Sequence, residues 1–344
     1  MSMMLHIQPY ELPMKTPWPD GNRNRIRART GFIVRFFAGK LQGKGDCAPW
    51  PAMGTETPEQ ALDYLTEWQK GRKGNIRQLL DELETAGSTC PAAVHALETA
   101  LLDILGQQRS IPLRHLLKEQ APDHIHVNAM AGSACDNRAV AEVAEGFRVI
   151  KLKMGRAPVA DEIRCLQTLS GKLPGGIRLR LDANGAWSPD EAARVLQALE
   201  GLPVESLEEP LKQPKLEDLD RLQHETGIHL ALDESLKRFP LAEVLDSRLP
   251  RLVIKPSVQG GLRSSFQLAS RAAASGKETV ITSLVESAIG LHAAAQLAAA
   301  VSCPVPDLSH GLATATWLRE DVASPPAIEA GCMHLSLHPG LGIG

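Results

Sequence analysis

The chain has 344 residues, a net charge of −3, 43% hydrophobic residues and 22% charged ones. That length exceeds one ordinary domain but suits an α/β barrel with a smaller domain attached. The near-neutral charge offers little to nucleic acid or an anionic membrane, so the expected partner is a small molecule.

Cys47, Cys90, Cys135, Cys165, Cys303 and Cys332 are widely spaced with no C-x-x-C pair. This fits neither a zinc site nor a disulfide framework, and predicts reduced thiols in a cytoplasm. The N-terminus has no basic segment followed by an apolar core, so no signal peptide is expected. The most apolar stretch, 288–301, contains His292 and Gln296 and is too short and polar for a bilayer. It reads as a buried helix.

In chain order, residues 1–122 read as an α+β unit. A strand is expected over 4–10, then a Pro- and Gly-rich stretch. Arg23, Arg25, Arg27 and Arg29 alternate and so share one face of a second strand, either solvated or turned to an anion. Residues 43–57 read as an irregular loop. Thr57-Pro58-Glu59-Gln60 is a capping box with proline at the first helical position. Helices follow over 76–86, 90–107 and 112–118, the second with one face in the core. From 123 the rhythm changes to short apolar runs separated by helical stretches. Strands are expected over 125–131, 148–153, 177–182, 204–208, 230–233, 252–255 and 279–283, with a weaker one at 306–309. Repeats of this kind predict a parallel barrel over 123–310. The rival open sheet lacks any G-x-G-x-x-G or phosphate loop after a strand. The tail, 311–344, is too long to be a frayed end and is expected to return to the N-terminal unit.

In such a barrel, functional side chains gather at the C-terminal ends of the strands. Here those ends carry Lys151 and Lys153, then Asp182, Glu208, Asp233 and Lys255 on successive strands. Three carboxylates on one rim repel each other unless a cation lies between them, and oxygen ligands suit Mg²⁺, with Mn²⁺ as a substitute. The combination predicts removal of a proton next to a metal-bound carboxylate by a lysine, giving a stabilised enediolate. Lys153 is the expected base and Lys151 the neighbouring cation that tunes it. Arg180 shares the face of Asp182 and is a further candidate near metal or substrate. His124 and His126 alternate on the first strand without a third ligand and read as ordinary strand residues. His310 follows the last strand and is a weaker candidate for substrate contact.

The set Lys151-Leu152-Lys153, Asp182-Ala183-Asn184, Glu208-Glu209-Pro210, Asp233-Glu234-Ser235 and Lys255-Pro256 resembles the enolase superfamily, in its muconate-lactonizing subgroup. The resemblance implies a (β/α)7β modified TIM barrel with an N-terminal α+β capping domain completed by the C-terminal tail. A mobile capping loop would correspond to about 13–25. It also implies Asp182, Glu208 and Asp233 as Mg²⁺ ligands, Lys153 and Lys255 as catalytic residues, and Asn184 and Glu234 in support. Within the subgroup, the segments around Asp182, Asp233, Lys255, Ser283-Leu284-Val285-Glu286-Ser287 and His310-Gly311 are most similar to the o-succinylbenzoate synthases. That implies dehydration of a cyclohexadiene carboxylate, a hydro-lyase step in menaquinone or phylloquinone formation, with Ser283 and Ser287 near the succinyl arm.

Other lysine-pair members racemise N-succinylamino acids, epimerise dipeptides or cycloisomerise muconate through the same enolate. Dipeptide epimerases carry several aspartates near the eighth strand, where this chain has only Asp307. A metal-free Schiff-base aldolase would leave the three carboxylates without a purpose, and a non-catalytic binding protein would leave the whole charged set without one.

Overall fold

The computed structural model describes residues 4–19, 25–70, 72, 74–85, 89–136, 146–302 and 307–343. Strands β1 (Met4–Pro19), β2 (Arg25–Ala38) and β3 (Leu41–Cys47) form an antiparallel sheet in that order. Helices α1 (Pro58–Gln69), α2 (Ile76–Thr85), α3 (Pro91–Arg109) and α4 (Leu113–Leu117) follow. The capping box of α1 forms as expected: Gln60 N–H donates to Thr57 Oγ1 at 3.3 Å, and Thr57 N–H donates to Gln60 Oε1 at 2.9 Å.

Three expectations for this unit need correction. Residues 43–47 are not loop but most of β3, packed against α3. A Cβ on Gly43 would lie 1.9 Å from the carbonyl oxygen of Ala100, and one on Gly45 would lie 1.9 Å from that of Ala96. The glycines are there so that strand and helix backbones can touch, a reason that a sequence cannot distinguish from turn formation. With β2, β3, α1, α2, α4 and the short helix over 256–259 packed around it, α3 is buried on nearly every side rather than on one face. The arginine stripe divides: Arg25 and Arg27 are exposed, Arg29 is buried, and Arg23 lies outside the described residues.

The barrel strands are β5 (Ala129–Ser133), β6 (Val149–Lys153), β7 (Arg178–Asp182), β8 (Val204–Glu208), β9 (His229–Leu232), β10 (Arg251–Ile254) and β11 (Glu278–Ile281). They lie side by side in sequence order, all parallel. Between them run α5 (Val159–Ser170), α6 (Pro189–Ala198), α7 (Leu216–His224), α8 (Leu241–Asp246), α9 (Pro256–Gln259) and α10 (Leu262–Ala274), and α11 (Ala288–Val301) follows β11. The weak eighth strand contributes single parallel bridges, Thr282 to Gly311 on one side and Val127 to His310 on the other. This is the (β/α)7β barrel with an antiparallel N-terminal cap. The predicted first strand is two: β4 (His124–His126) leaves the barrel to pair antiparallel with β13 (Cys332–His334), itself paired with β12 (Ile328–Glu329).

The tail also bridges to the first unit: Leu318 with Met14, and Gly340 with Pro112. The predicted buried helix is α11, whose residues are almost all inaccessible. No helix among the described residues is long and apolar enough to cross a membrane. Cys135, after β5, and Cys165, on α5, form a disulfide, while Cys47, Cys90 and Cys332 are free and Cys303 lies outside the described residues. This overturns the expectation of six reduced thiols. The two cysteines are 30 residues apart, and only the β–α packing brings them together.

Candidate active site

Register places the charges. Lys153, Asp182 and Glu208 sit opposite one another across β6, β7 and β8. Asp233 and Lys255 stand just beyond the ends of β9 and β10. Because side chains alternate along a strand, each last inward position points to the barrel axis at the C-terminal rim.

There the groups pair by sign. Lys151 Nζ lies 2.8 Å from Asp182 Oδ2 and also donates to Glu208 Oε2. Lys153 Nζ donates to Asp182 Oδ2 and Asn184 Oδ1, each at 2.7 Å. On the far side Lys255 donates to Asp233. Burial pushes the Lys151 ammonium down, but Asp182, Glu208 and Asp233 together push it up further, so it is held protonated. Asp182 is the counterpart: burial raises it, and Lys151 and Lys153 outweigh burial and hold it well below the carboxylate range. For Lys255 burial is again the largest influence and lowers it, but its anionic neighbours, Asp233 first among them, outweigh burial and raise it.

All of these residues except Glu208 line a cavity of about 670 Å³. Its floor carries Lys151, Lys153, Asp182, Asp233, Glu234 and Lys255, and the capping unit closes one side with Trp18, Trp50 and Met53. The size suits a small organic substrate. Asn184 touches the cavity and ties Lys153 to Glu234, whose Oε1 accepts from Asn184 Nδ2 at 3.1 Å.

Four of the expected residues do not reach the cavity. Glu208 is sealed behind Lys151. Arg180 lies beneath it, 3.9 Å from Glu208 Oε1, with its guanidinium held by Glu205 at 2.7 Å and Asn128 Oδ1 at 3.1 Å. It braces a carboxylate and does not meet substrate. Ser287 is buried, and both its N–H and its hydroxyl donate to Asp46. Ser283 does line the cavity, although its hydroxyl is 2.6 Å from that of Thr314. His310 is also buried away from substrate: its Nδ1 accepts from Ile281 N–H at 3.0 Å, which fixes the neutral form with the proton on Nε2, facing Ser302 Oγ at 2.8 Å. Burial holds it down at about 3.

The residue that sequence reasoning passed over is Glu209. Its Oε1 accepts from Asp233 N–H at 2.6 Å, Ser235 N–H at 2.9 Å and Ser235 Oγ at 2.7 Å, so the end of β8 fixes the loop after β9. It reaches that position with φ of 43°, in the left-handed region that non-glycine residues rarely occupy. Asn184 (φ 45°) and Val285 (φ 58°) do the same at the ends of β7 and β11. Such strain gathers at sites where the surroundings impose it. The available signal was a second carboxylate before Pro210, where the chain has to turn.

The donor set is oxygen-rich, anionic and buried, which suits a hard divalent cation, and Glu234 Oε2 is buried without a hydrogen-bond partner beside it. In this structure the carboxylates face lysines, and among the described residues no three acidic, histidine or cysteine side chains converge on one point. The residues suit such an ion by chemistry, while lysine ammonium groups stand between the carboxylates.

A parallel barrel with lysines and carboxylates facing one another on successive strand ends defines a class of acid–base barrel proteins. The chain belongs to the enolase superfamily: residues 135–344 match the family described as enolase C-terminal domain-like. It is 28% identical over 304 residues to the o-succinylbenzoate synthase of Klebsiella pneumoniae (strain 342), covering 88% of each chain. Among solved structures it is similar to a dipeptide epimerase from Enterococcus faecalis V583 complexed with Mg and L-Leu-L-Tyr, at TM-score 0.87 and 25% identity, covering 100% and 99%. The fold is shared with muconate lactonizing enzyme from Pseudomonas fluorescens (TM-score 0.85, 21% identity, covering 100% and 96%). It is shared equally with N-succinyl Arg/Lys racemase from Bacillus cereus ATCC 14579 (TM-score 0.88, 21% identity, covering 100% and 95%).

Proposed function

We propose that the protein is an o-succinylbenzoate synthase, a hydro-lyase that dehydrates 2-succinyl-6-hydroxy-2,4-cyclohexadiene-1-carboxylate for menaquinone or phylloquinone formation. The observation that carries the reading is the placement of Lys153 and Lys255 on opposite walls of one cavity with Asp182 and Asp233 between them. The similarity over 88% of the Klebsiella pneumoniae synthase supports this choice within the superfamily.

Asp182, Glu208 and Asp233 would hold Mg²⁺, or Mn²⁺, and such an ion supplies Lewis-acid stabilisation of negative charge on the substrate carboxylate. Lys153, at the rim end of β6, removes the proton next to that carboxylate and returns it to the departing hydroxyl. For this its Nζ has to leave Asp182 Oδ2 and act as a neutral amine. Lys255, on the other wall, faces the ring as a fixed cation. Lys151 stays charged between Asp182 and Glu208 and keeps the two carboxylates from repelling. Glu209 and Asn184 hold the strand-end loops in register. The division into a cap over 1–122, a barrel over 123–310 and a returning segment over 311–344 is part of this reading, as is a cytoplasmic setting. Thiol titration of the denatured, unreduced chain tests that setting, since a closed Cys135–Cys165 pair removes two of the six titratable thiols.

A second reading uses the same geometry. Two lysines on opposite walls can take a proton from one face and return one to the other, which is racemisation of an N-succinylamino acid. Dipeptide epimerisation is less favoured: Asp307 lies near Arg148 Nη1, at 3.2 Å, at the opposite end of β6 from the cavity. The deciding experiment is a Mg²⁺-dependent assay of the cyclohexadiene substrate, run beside N-succinylamino acids, dipeptides and muconate. Turnover of the first substrate is expected, and its absence with racemisation present would replace the first reading by the second. Activity that survives a chelator, with an adduct trapped by borohydride, would point to a Schiff-base aldolase. No turnover at all would point to a binding protein.

A further inference from the structure

The mouth of the cavity carries three cations that proton transfer does not use. Arg156 follows β6, Lys212 follows β8 and Arg238 follows β9, and all three line the cavity. Their side chains are exposed, and among the described residues none has a carboxylate or other side-chain partner. The floor is different, because Lys151, Lys153 and Lys255 are each matched by a carboxylate. Nor do the remaining acids of the lining balance the mouth: across the whole lining six lysine and arginine side chains stand against four carboxylates, Asp182, Glu209, Asp233 and Glu234. A chain of net charge −3 thus presents a patch of unbalanced positive charge at its cavity entrance. Such a patch attracts and orients anions.

We propose that Arg156, Lys212 and Arg238 form an anion subsite for the second carboxylate of a dianionic substrate, whose first carboxylate sits on the cavity floor. This rests on the reading under Proposed function and assigns the succinyl end to the β6–β8–β9 side of the mouth. Ser283 and Ser287 are poorer candidates for that end. Both are neutral, Ser283 is paired with Thr314, and Ser287 is buried on Asp46. A carboxylate is better matched by guanidinium and ammonium donors that lack another partner.

The test compares two probes by isothermal titration calorimetry with Mg²⁺-loaded protein. One is o-succinylbenzoate, and the other is 2-propanoylbenzoate, which has the same ring and ketone but lacks the terminal carboxylate. Wild type is expected to bind the dianion at least about tenfold more tightly, and added salt should shrink the difference. Each of Arg156→Gln, Lys212→Gln and Arg238→Gln should weaken dianion binding by about two- to fivefold, the range of exposed ion pairs. The triple variant should lose about tenfold or more while binding the monoanion within about twofold of wild type. The subsite is overturned if the triple variant keeps its affinity for the dianion, or loses affinity for both probes equally. If wild type binds neither probe, the synthase reading fails, and the subsite fails with it.

Discussion

Two clusters of buried charge lie within one molecule and do different work. At the barrel rim, Lys151, Lys153 and Lys255 face Asp182, Glu208 and Asp233, and the pairs open on a cavity. At the seam between the cap and the loop after β11, the charges face backbone and neutral groups. Asp46 accepts from Tyr10 OH at 2.8 Å, from Ser287 N–H at 2.8 Å and from Ser287 Oγ at 2.7 Å. Arg29 donates to the carbonyls of Ala48 (2.9 Å), Pro49 (3.3 Å) and Val285 (3.3 Å), with its guanidinium 4.7 Å above the Trp50 ring. Glu286 accepts from Ser257 Oγ and Leu284 N–H. A charge whose donors or acceptors are taken up by backbone is a fastener, because moving it strands buried peptide groups. A charge paired only with another side chain that borders a cavity can be re-paired by a ligand. The seam fastens the loop whose Val285 forms part of the cavity wall, so the second cluster shapes the site without entering its chemistry.

The largest effects should separate the two clusters. Lys153→Ala and Lys255→Ala are each expected to lower kcat by about 10³-fold or more, within the range for a lost acid–base group, while circular dichroism and Tm change little. Near-normal turnover in either variant would return the paired lysines to a structural role. Asp182→Asn should lower kcat by about 10²- to 10³-fold and remove the response to added Mg²⁺, read as activity across a metal titration. An unchanged metal response in the Asp182→Asn variant would take this carboxylate out of the ligand set.

At the seam the expected loss is one of stability. Arg29→Ala removes donors from three backbone carbonyls in a buried position and should cost about 3 to 5 kcal/mol in denaturant unfolding. Its kinetic effect should appear mainly as a raised KM, through the loosened wall at Val285. A fall in kcat with KM unchanged would mean that the seam takes part in the chemistry.

The difference between the clusters also marks what could be read from the sequence. The rim was legible because barrel strands are short and regular: a charge ending an apolar run can be assigned to the C-terminal end before any coordinates are known. The seam was not. Arg29 looked like one of four alternating arginines, and only contact with Ala48, Pro49 and Val285, up to 256 residues away, distinguishes it from its exposed neighbours. Asp46 fell in a stretch read as loop because Gly43 and Gly45 imitate turn residues. Ser287 sat beside the expected substrate contacts in sequence, yet it starts α11 facing the cap and not the cavity. Glu209 was visible as a residue but not as a brace, since its partners lie on the next strand end.

Asp46 gives the finest test of the contrast. Burial, the largest influence, raises its carboxyl from 3.8 to about 6, against the lowering effect of the Ser287 and Tyr10 hydrogen bonds and with a further rise from Glu286. The folded state therefore holds this proton more tightly than the unfolded chain does. The sign follows: the contribution is most favourable below about pH 4 and is lost as pH rises through about 6. The gap between 3.8 and about 6 corresponds to about 3 kcal/mol across that window. Asp46→Asn replaces the acid by a neutral group of similar shape, so wild type and variant should be nearly equal in stability near pH 4. By pH 7 the variant should gain on wild type by up to about 3 kcal/mol, less whatever the carboxylate recovers from Ser287. Denaturant midpoints of the two proteins across this range cancel the titrations they share. A difference that does not change with pH would show that Asp46 is ionised in the fold at all these values, and that the seam, like the rim, is held together by charge.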